Sequence, residues 1–285
     1  MNESAAEPRH AATVLLLRQG RSAPIEVFMV KRHGKSGFMA GAYVFPGGKL
    51  DDSDCSPGLA KRCAGRTASQ CADALSEDLK PDLARGLFVA AARETFEEAG
   101  VILAHGQISA EGLRLSRASL ETGEANLEQI LQQNGLELDL EALVPWSRWI
   151  TPTVEKRRFD TRFFMARVPD RQEASHDTRE TTAQAWLSPG EAFERADAGE
   201  LSLPPPTYRT LEQLANHDSV QSVMEAARGS ATPLIAPEVH SEAGAVMICL
   251  PGDPLHTSAT RALPGPTRVV LRAGKWRSED PAPEG

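Results

Sequence analysis

The sequence has no long apolar run and no recognisable targeting segment. No stretch approaches the ~18 consecutive apolar residues of a membrane-spanning helix. The first residues, Met1-Asn2-Glu3-Ser4, have neither the basic start nor the apolar core of a signal peptide. The last residues do not form a peroxisomal address of the Ser-Lys-Leu kind. These features predict a cytoplasmic protein that does not bind a membrane.

Cysteine is scarce, with four residues in a chain of 285. Cys55, Cys63 and Cys71 recur at eight-residue intervals, and Cys249 lies far from them. The cluster allows a zinc site, but the paired Cys-x-x-Cys spacing of zinc-binding knuckles is missing. The favoured interpretation is therefore free thiols in a reducing compartment.

Positive charge is also in short supply. There are 31 lysines and arginines against 39 aspartates and glutamates, which gives a net charge of −8. This balance makes binding to nucleic acid or to anionic membranes unfavourable.

The most informative feature is a cluster of carboxylates in the segment 93–101. Glu94, Glu97 and Glu98 have the i, i+3, i+4 spacing that places them on one face of a helix. Three like charges so close weaken a helix, but a hard divalent cation would make the crowding favourable. Gly100 is typical of a helix end, and Arg93 is placed to orient Glu97. Taken alone, the cluster could still be a solvated acidic surface.

A second motif stands upstream, where the apolar segment 41–46 leads into a Gly-Gly turn. Glycines there permit a close approach of the backbone to a ligand. This turn, followed by Arg-Glu-x-x-Glu-Glu-x-Gly-Val, resembles the signature of the Nudix hydrolases. Gly48 occupies the first signature position, Asp54 stands where the family has Glu, and Thr95 stands where an apolar residue is usual.

The signature is interrupted. Arg93 follows Asp54 by 39 residues, so about thirty residues, roughly 55–82, are inserted within it. An interrupted signature resembles the Nudix subfamily of peroxisomal-type coenzyme A diphosphatases. The likeness continues through the segments 149–152, 157–164 and 203–207. We expect the insertion to border the substrate cleft and to control access to it.

Mixed strands with a few helices predict an α+β protein, and the resemblance implies the Nudix α/β/α sandwich with a mixed β-sheet. The Nudix domain is predicted at 10–230. A Pro- and Gly-rich extension at 231–285 would pack on the domain or on a partner subunit, which leaves a homodimer open. Strands are predicted at 12–18, 25–32, 41–46, 146–151, 158–167, 183–187, 245–250 and 268–272. Helices are predicted at 59–75, 83–99, 113–133, 207–225 and after the capping residue Ser188.

The resemblance implies hydrolysis of a diphosphate with Mg²⁺ or Mn²⁺. Glu94, Glu97 and Glu98 are the expected metal ligands. The carbonyl of Gly48 would support them, and Asp54 would act either as a further ligand or as an orienting group. Arg93 is expected to orient the carboxylates. The general base is predicted to be a signature glutamate (Glu94 or Glu97) or Glu180, for which a solvated loop charge is the alternative.

Four arginines are candidates for binding substrate phosphates: Arg32, Arg157, Arg158 and Arg162. Strand alternation also allows Arg158 and Arg162 to form a surface ion network with Asp160. Arg32 fits the first of two arginines in a motif of other coenzyme A Nudix enzymes, but Gly37 occupies the second position.

The predicted activity is cleavage of the diphosphate of coenzyme A or acyl-coenzyme A. The alternatives are a pyrophosphatase for NADH, ADP-ribose or nucleotide sugars, and a non-catalytic nucleotide sensor.

Overall fold

The computed structural model describes residues 6–20, 23–33, 41–176, 181–242 and 244–281. The strands are β1 Arg9–Arg18, β2 Glu26–Arg32, β3 Tyr43–Val44, β4 Gly47–Lys49, β5 Cys63–Ala64, β6 Ala104–His105, β7 Glu137–Asp139, β8 Val144–Ile150, β9 Phe159–Arg167, β10 Thr181–Leu187, β11 Leu234–Ile235, β12 Glu238–Glu242, β13 Ala245–Cys249, β14 Arg268–Arg272 and β15 Lys275–Glu279. The helices are α1 Pro57–Ala60, α2 Ala68–Leu75, α3 Pro81–Ala99, α4 Ala110–Thr122, α5 Leu127–Gln133, α6 Pro189–Asp197, α7 Pro205–Leu214 and α8 Val220–Arg228.

A mixed sheet with the strand order β10-β2-β1-β9-β8-β11 forms the centre of the molecule, and the short strands β3 and β4 pair with β2 and β1. β1 runs parallel to β9 and antiparallel to β2. Along β1, Val14 and Leu16 point into one core and Leu15 and Leu17 into the other. A strand buried on both faces needs this nearly continuous apolar run.

Helices cover both faces of the sheet. The first core joins α3, α5 and the insertion, and the second core joins α6, α7 and α8. The predicted α+β class and the α/β/α sandwich are therefore confirmed. In the described part of the chain, no helix is both long and apolar enough to cross a membrane.

The helix that carries the carboxylates, α3, ends as predicted. Gly100 follows it with φ of 67° in the left-handed region, a conformation that costs other residues a steric penalty. Thr95, the departure from the family pattern, is fully buried, and its hydroxyl donates to the carbonyl of Ala91 at 2.7 Å. Because the hydroxyl is satisfied inside the helix, threonine can replace an apolar residue here.

Three long helices predicted from periodicity are each broken in the structure. The segment 113–133 forms α4 and α5, separated at Gly123, which has φ of 74°. The segment 207–225 forms α7 and α8, with Ser219 capping the second. The segment 59–75 contains α1, β5 and α2, and Thr67 caps α2 in a reciprocal capping box. Local caps and a left-handed glycine override the apolar periodicity in these segments.

The insertion packs into the domain. Leu59, Cys71 and Leu75 are buried in the first core, and β5 pairs with β7. At its end, Glu77 accepts hydrogen bonds from Arg162 at 2.5 and 3.1 Å and lies 2.8 Å from Arg148. These contacts tie the insertion to strands β8 and β9.

We expect Glu77→Gln to destabilise the protein without changing its catalysis. Arg162 is fully buried and would keep Asp160 as its only acidic partner among the described residues, so the loss should be about 2–4 kcal/mol, or a Tm lower by roughly 5–10 °C. Thermal unfolding and kcat would be measured beside Asp78→Asn, an exposed neighbour. A Tm equal to that of the control would show that the buried network contributes little.

The cysteines are free thiols, as predicted. Burial raises the pKa of the Cys63 thiol to about 11 and that of Cys71 to about 12, and it raises the pKa of Cys249 to about 11. These three thiols are therefore protonated at neutral pH and behave as small apolar side chains.

The C-terminal extension packs on the domain of its own chain. β11 adds to the central sheet beside β8, and β12 to β15 form a separate antiparallel sheet. Leu250 and Leu263 enter the second core. The extension was predicted to pack either on the domain or on a partner subunit. The described contacts are with the domain.

Candidate active site

The three glutamates of α3 lie together at the edge of the sheet, beside β4. Glu94 and Glu98 are each 8% exposed, whereas the Glu97 side chain is 31% exposed. Glu98 Oε2 accepts a hydrogen bond from the backbone nitrogen of Gly47 at 2.9 Å. Glu97 is thus the most accessible carboxylate of the three, and Glu98 is fixed to the Gly-Gly turn.

Arg93 orients two of these three glutamates, Glu94 and Glu97. Its Nη1 donates to Glu94 Oε1 at 2.8 Å and to Glu97 Oε2 at 3.1 Å, and its Nη2 donates to the carbonyl of Lys49 at 3.0 Å. Burial by itself would lower the pKa of Arg93, but hydrogen bonding to Asp54 and the glutamate charges raise it well above its usual value. The guanidinium therefore remains charged.

Asp54 is the buried counterpart of this arginine. Its two carboxylate oxygens accept hydrogen bonds from Nε and Nη2 of Arg93 at 2.8 and 3.0 Å. Oδ2 also accepts a hydrogen bond from the backbone nitrogen of Asp51 at 2.9 Å. Of the two roles predicted for Asp54, this fork-to-fork geometry favours the orienting group. Direct metal binding by Asp54 stays a prediction.

The Gly-Gly turn brings β4 into contact with both β1 and the carboxylates. A Cβ on Gly47 would lie 2.4 Å from the carbonyl oxygen of Ala12, and one on Gly48 would lie 2.4 Å from Glu94 Oε1. Gly47 therefore requires glycine for reasons of space, whereas a side chain at Gly48 would displace the Glu94 carboxylate. The carbonyl of Gly48 as a metal ligand stays a prediction.

We expect alanine at these two glycines to have different effects. Gly48→Ala should displace the Glu94 carboxylate and lower kcat by about a hundredfold, with a small change in Tm. In Gly47→Ala the new methyl group would clash with backbone atoms of Ala12 and Thr13, which cannot move aside as a side chain can. We therefore expect it to lower the free energy of unfolding by about 2–3 kcal/mol. Gly190→Ala, where a Cβ meets nothing within 4 Å, is the control. Equal activity in Gly48→Ala and this control would contradict the assigned geometry.

A cleft of about 1180 Å³ opens at the carboxylates. Glu94, Glu97 and Glu98 line it, together with cationic side chains contributed by β1, β2, β4 and the segment before β9: Arg9, Arg32, Lys49, Lys156, Arg157 and Arg158. Carboxylates that suit a metal and cations that suit phosphates thus share one cavity.

Three of the four predicted phosphate-binding arginines, Arg32, Arg157 and Arg158, line this cleft. Arg157 is exposed, whereas Arg158 uses Nε and Nη1 to donate to the carbonyls of Thr151 and Ala6. The placement in the cleft agrees with phosphate binding, which remains a prediction for these three residues.

The assignment of Arg162 to the substrate is wrong. Its side chain is buried against Glu77 and Asp160, on the strand face opposite to Thr161 and Phe163, which line the cleft. Arg162 does belong to an ion network with Asp160, but this network is buried and not on the surface as the alternative had it. Glu180, the downstream candidate for the general base, lies outside the described residues.

The insertion 55–82 contributes no residue to the cleft lining, so the expectation that it borders the substrate is wrong. Its apolar side chains face the first core instead. Leu120 and Glu121 of α4 do line the cleft, although no functional role was predicted for this helix.

Arg117 is a further residue that the sequence pattern did not reveal. From α4 it donates Nε and Nη2 to the carbonyl of Glu97 at 2.9 and 2.7 Å, and Nη1 to the carbonyl of Ser175 at 2.8 Å. It therefore fixes the last turn of α3 against the β9–β10 connection. No local motif marks such a contact, since its partner is a backbone carbonyl distant in sequence.

The donor chemistry of the site fits a divalent cation. Glu94, Glu97 and Glu98 offer only hard oxygen ligands at the mouth of a cleft, as Mg²⁺ and Mn²⁺ prefer. Within the described ranges, no three acidic, histidine or cysteine side chains already surround a common metal position. Arg93, which hydrogen-bonds Glu94 and Glu97, instead provides their positive partner here.

A comparison with solved structures defines the class of protein. A Nudix hydrolase from Alicyclobacillus acidocaldarius superimposes with a TM-score of 0.65 and 29% sequence identity, covering 80% of this chain and 98% of that one. The mixed sheet, the carboxylate helix and the Gly-Gly turn are therefore those of a Nudix hydrolase.

The sequence comparisons identify the family more closely. Residues 69–214 match the family described as NUDT19 Nudix domain, and the chain belongs to this family of Nudix hydrolases. Acyl-coenzyme A diphosphatase NUDT19 of Gallus gallus is 31% identical, with 78% of this chain and 72% of the relative covered. Its namesake in Xenopus laevis is 28% identical, and the match covers 70% of this chain but only 62% of that relative.

Proposed function

We propose that the chain hydrolyses the diphosphate of coenzyme A or acyl-coenzyme A. The products would be phosphopantetheine, or its acylated form, and adenosine 3′,5′-bisphosphate. The observation that carries the proposal is that three carboxylates and several cations line one and the same cleft. The relatives from Gallus gallus and Homo sapiens, both called acyl-coenzyme A diphosphatase, support the choice of substrate.

We infer that Mg²⁺ or Mn²⁺ would be held by Glu94, Glu97 and Glu98. Such an ion supplies Lewis acidity at the phosphoryl oxygens and an acidified water molecule. Arg93 fixes the directions of Glu94 and Glu97 through its Nη1, and Asp54 fixes Arg93. This arrangement prepares the carboxylates before the substrate arrives, which favours catalysis by pre-organisation.

The residues of the chain itself would bind the phosphates and move a proton. Arg157 and Lys156 are exposed side chains on the cleft wall and are suited to neutralise the charge that builds up on the phosphates. Glu97, the most exposed of the three glutamates, is our candidate to accept the proton of the attacking water. Glu180 is the second candidate for that role.

Recognition of a 3′-phosphate needs a cation beyond Arg32, because Gly37 stands at the second arginine position of the motif. Of the three arginines predicted for this role, Arg157 and Arg158 line the cleft. Arg162 is excluded from this role by its burial against Glu77.

Competition kinetics with the whole chain would test the proposed substrate. We expect kcat/KM to be highest for coenzyme A or its thioesters, lower for dephospho-coenzyme A, and lowest for NADH, ADP-ribose and a nucleotide sugar. Arg157→Ala should reduce the advantage of coenzyme A over dephospho-coenzyme A by about tenfold, since a charged phosphate contact is lost. A ranking led by ADP-ribose or NADH would support the alternative pyrophosphatase activity, and binding without turnover would support a sensor.

A cytoplasmic location, a homodimeric state and the lack of a nucleic-acid partner are further proposals drawn from the sequence. Fractionation of cells that express the tagged chain would test the first. Light scattering after size-exclusion chromatography would test the second, and a filter-binding assay with DNA and RNA would test the third.

A further inference from the structure

One face of the C-terminal sheet collects apolar side chains. Residues directly opposite one another in antiparallel strands share a face, and the register pairs Val239 with Ile248, Ile248 with Val269, and Leu271 with Trp276. Positions two apart along one strand also share a face. Val239, Ile248 and Trp276 therefore point to the same side of the sheet.

This sheet is anchored to the domain through α7. Ser278 Oγ donates to Glu212 Oε2 at 2.8 Å, and Arg209 Nη2 donates to the carbonyl of Pro264 at 2.7 Å. Arg209 is only 1% exposed, and Leu250 is buried in the second core. Buried polar and apolar contacts thus hold this sheet in one position against the domain.

The apolar side chains of this face reach the catalytic cleft. Val239, Ile248 and Trp276 are half-buried and line the same cavity as the carboxylates. The proline run 204–206 at the start of α7 lines it too. The three clustered carboxylates of the cleft come from α3, and its cations come from the central sheet and the segment before β9. The prolines and the three apolar side chains come from α7 and the C-terminal extension.

The size and the chemistry of the cleft favour a substrate with an apolar part. Its volume of about 1180 Å³ exceeds the roughly 300–1,000 Å³ of most small-molecule sites. The phosphates and the sugar of a nucleotide are polar and gain little from an apolar wall. An aliphatic chain gains about fourfold in affinity for each methylene group removed from water.

We propose that Val239, Ile248 and Trp276 form a specificity-determining surface for the acyl chain of an acylated substrate. The inference rests on the proposed function, since it concerns the thioester end of a coenzyme A substrate. The C-terminal extension then selects the substrate in the same chain whose α3 performs the hydrolysis.

The test compares decanoyl-coenzyme A with coenzyme A in the full-length protein at saturating Mg²⁺. For Val239→Ser and Trp276→Ser we expect kcat/KM for the acylated substrate to fall by about tenfold or more, because lost apolar contacts in a pocket have effects of this size. The value for coenzyme A should change by less than about twofold, well below the effect of one such contact. Val246→Ser, on the same sheet face but away from the cleft, is the matched control and should alter neither value.

A second variant keeps the test informative if the serine variants unfold. Val239→Phe should fill the cleft, so that it excludes the decanoyl chain while coenzyme A is still hydrolysed. Equal losses for both substrates in the three cleft variants, or unchanged selectivity, would overturn this inference alone. A wild-type chain that hydrolyses neither compound would overturn the proposed function, and the inference with it.

Discussion

Replacing Glu97 or Glu98 by glutamine should lower kcat by at least about a hundredfold, and the two together by more. The change removes one negative charge from the set of three carboxylates while keeping the side-chain volume. The Glu97 variant would lose the ionic character of its hydrogen bond with Arg93 Nη1, but it would also lose the repulsion from the neighbouring carboxylates. We therefore expect Tm to shift by no more than about 2–4 °C, the equivalent of 1 kcal/mol.

The measurement is kcat with coenzyme A at saturating Mg²⁺, together with a thermal melt. Glu111→Gln is the matched control, since Glu111 is an exposed glutamate on α4 whose partner is Arg114. Metal dependence gives a second readout: if these carboxylates bind the ion, the Mg²⁺ concentration for half-maximal activity should rise in both variants. Turnover equal to that of Glu111→Gln would reject the metal assignment.

Replacing Arg93 should have the largest effect on stability among the site residues. Arg93 is 8% exposed and Asp54 is 1% exposed, so Arg93→Met would leave the aspartate as an uncompensated buried charge. We expect a loss of about 3–5 kcal/mol in the free energy of unfolding and a Tm lower by roughly 10 °C. Activity should fall as well, because Glu94 and Glu97 lose their common donor.

A double-mutant cycle separates these contributions. In the Arg93→Met/Asp54→Leu variant, both buried charges are gone, so its stability should exceed that of Arg93→Met. Its activity should stay low, since Glu94 and Glu97 still lack their hydrogen bonds from Arg93. Additive losses of stability in the double variant would show that the two side chains act independently, contrary to their bidentate contact.

The helix α3 could be predicted because the residues that define it are close together in sequence. The i, i+3, i+4 spacing of the glutamates, Gly100 at the helix end and Arg93 four residues before Glu97 are all fixed by helix geometry. The capping residue Ser188 succeeded for the same reason, and its hydroxyl accepts from the backbone nitrogen of Glu191 at 3.2 Å. Such contacts span one helical turn, so the sequence alone determines them.

The errors about the candidate site fall where the decisive partner is distant in sequence. Strand alternation placed Arg158 and Arg162 on the same face. Arg162 is buried because the insertion supplies Glu77, which lies 85 residues earlier in the sequence, as its ion-pair partner. Arg117 could not be foreseen, because the carbonyl of Glu97 that it contacts carries no side-chain signature. The role of the insertion was misjudged for the same reason: Leu59, Cys71 and Leu75 are apolar in any context, and only the fold shows which core they fill.

The sequence by itself determined the chemistry of this protein. It specified the carboxylate helix, the Gly-Gly turn that approaches it, the interruption between them and the family to which they point. The tertiary structure decided which charged residues face the cleft and which are buried, and it brought the C-terminal sheet to the cleft wall. The physical reason is that helix periodicity and turn geometry act over a few residues. Burial and ion pairing depend on surfaces that meet only when the whole chain has folded.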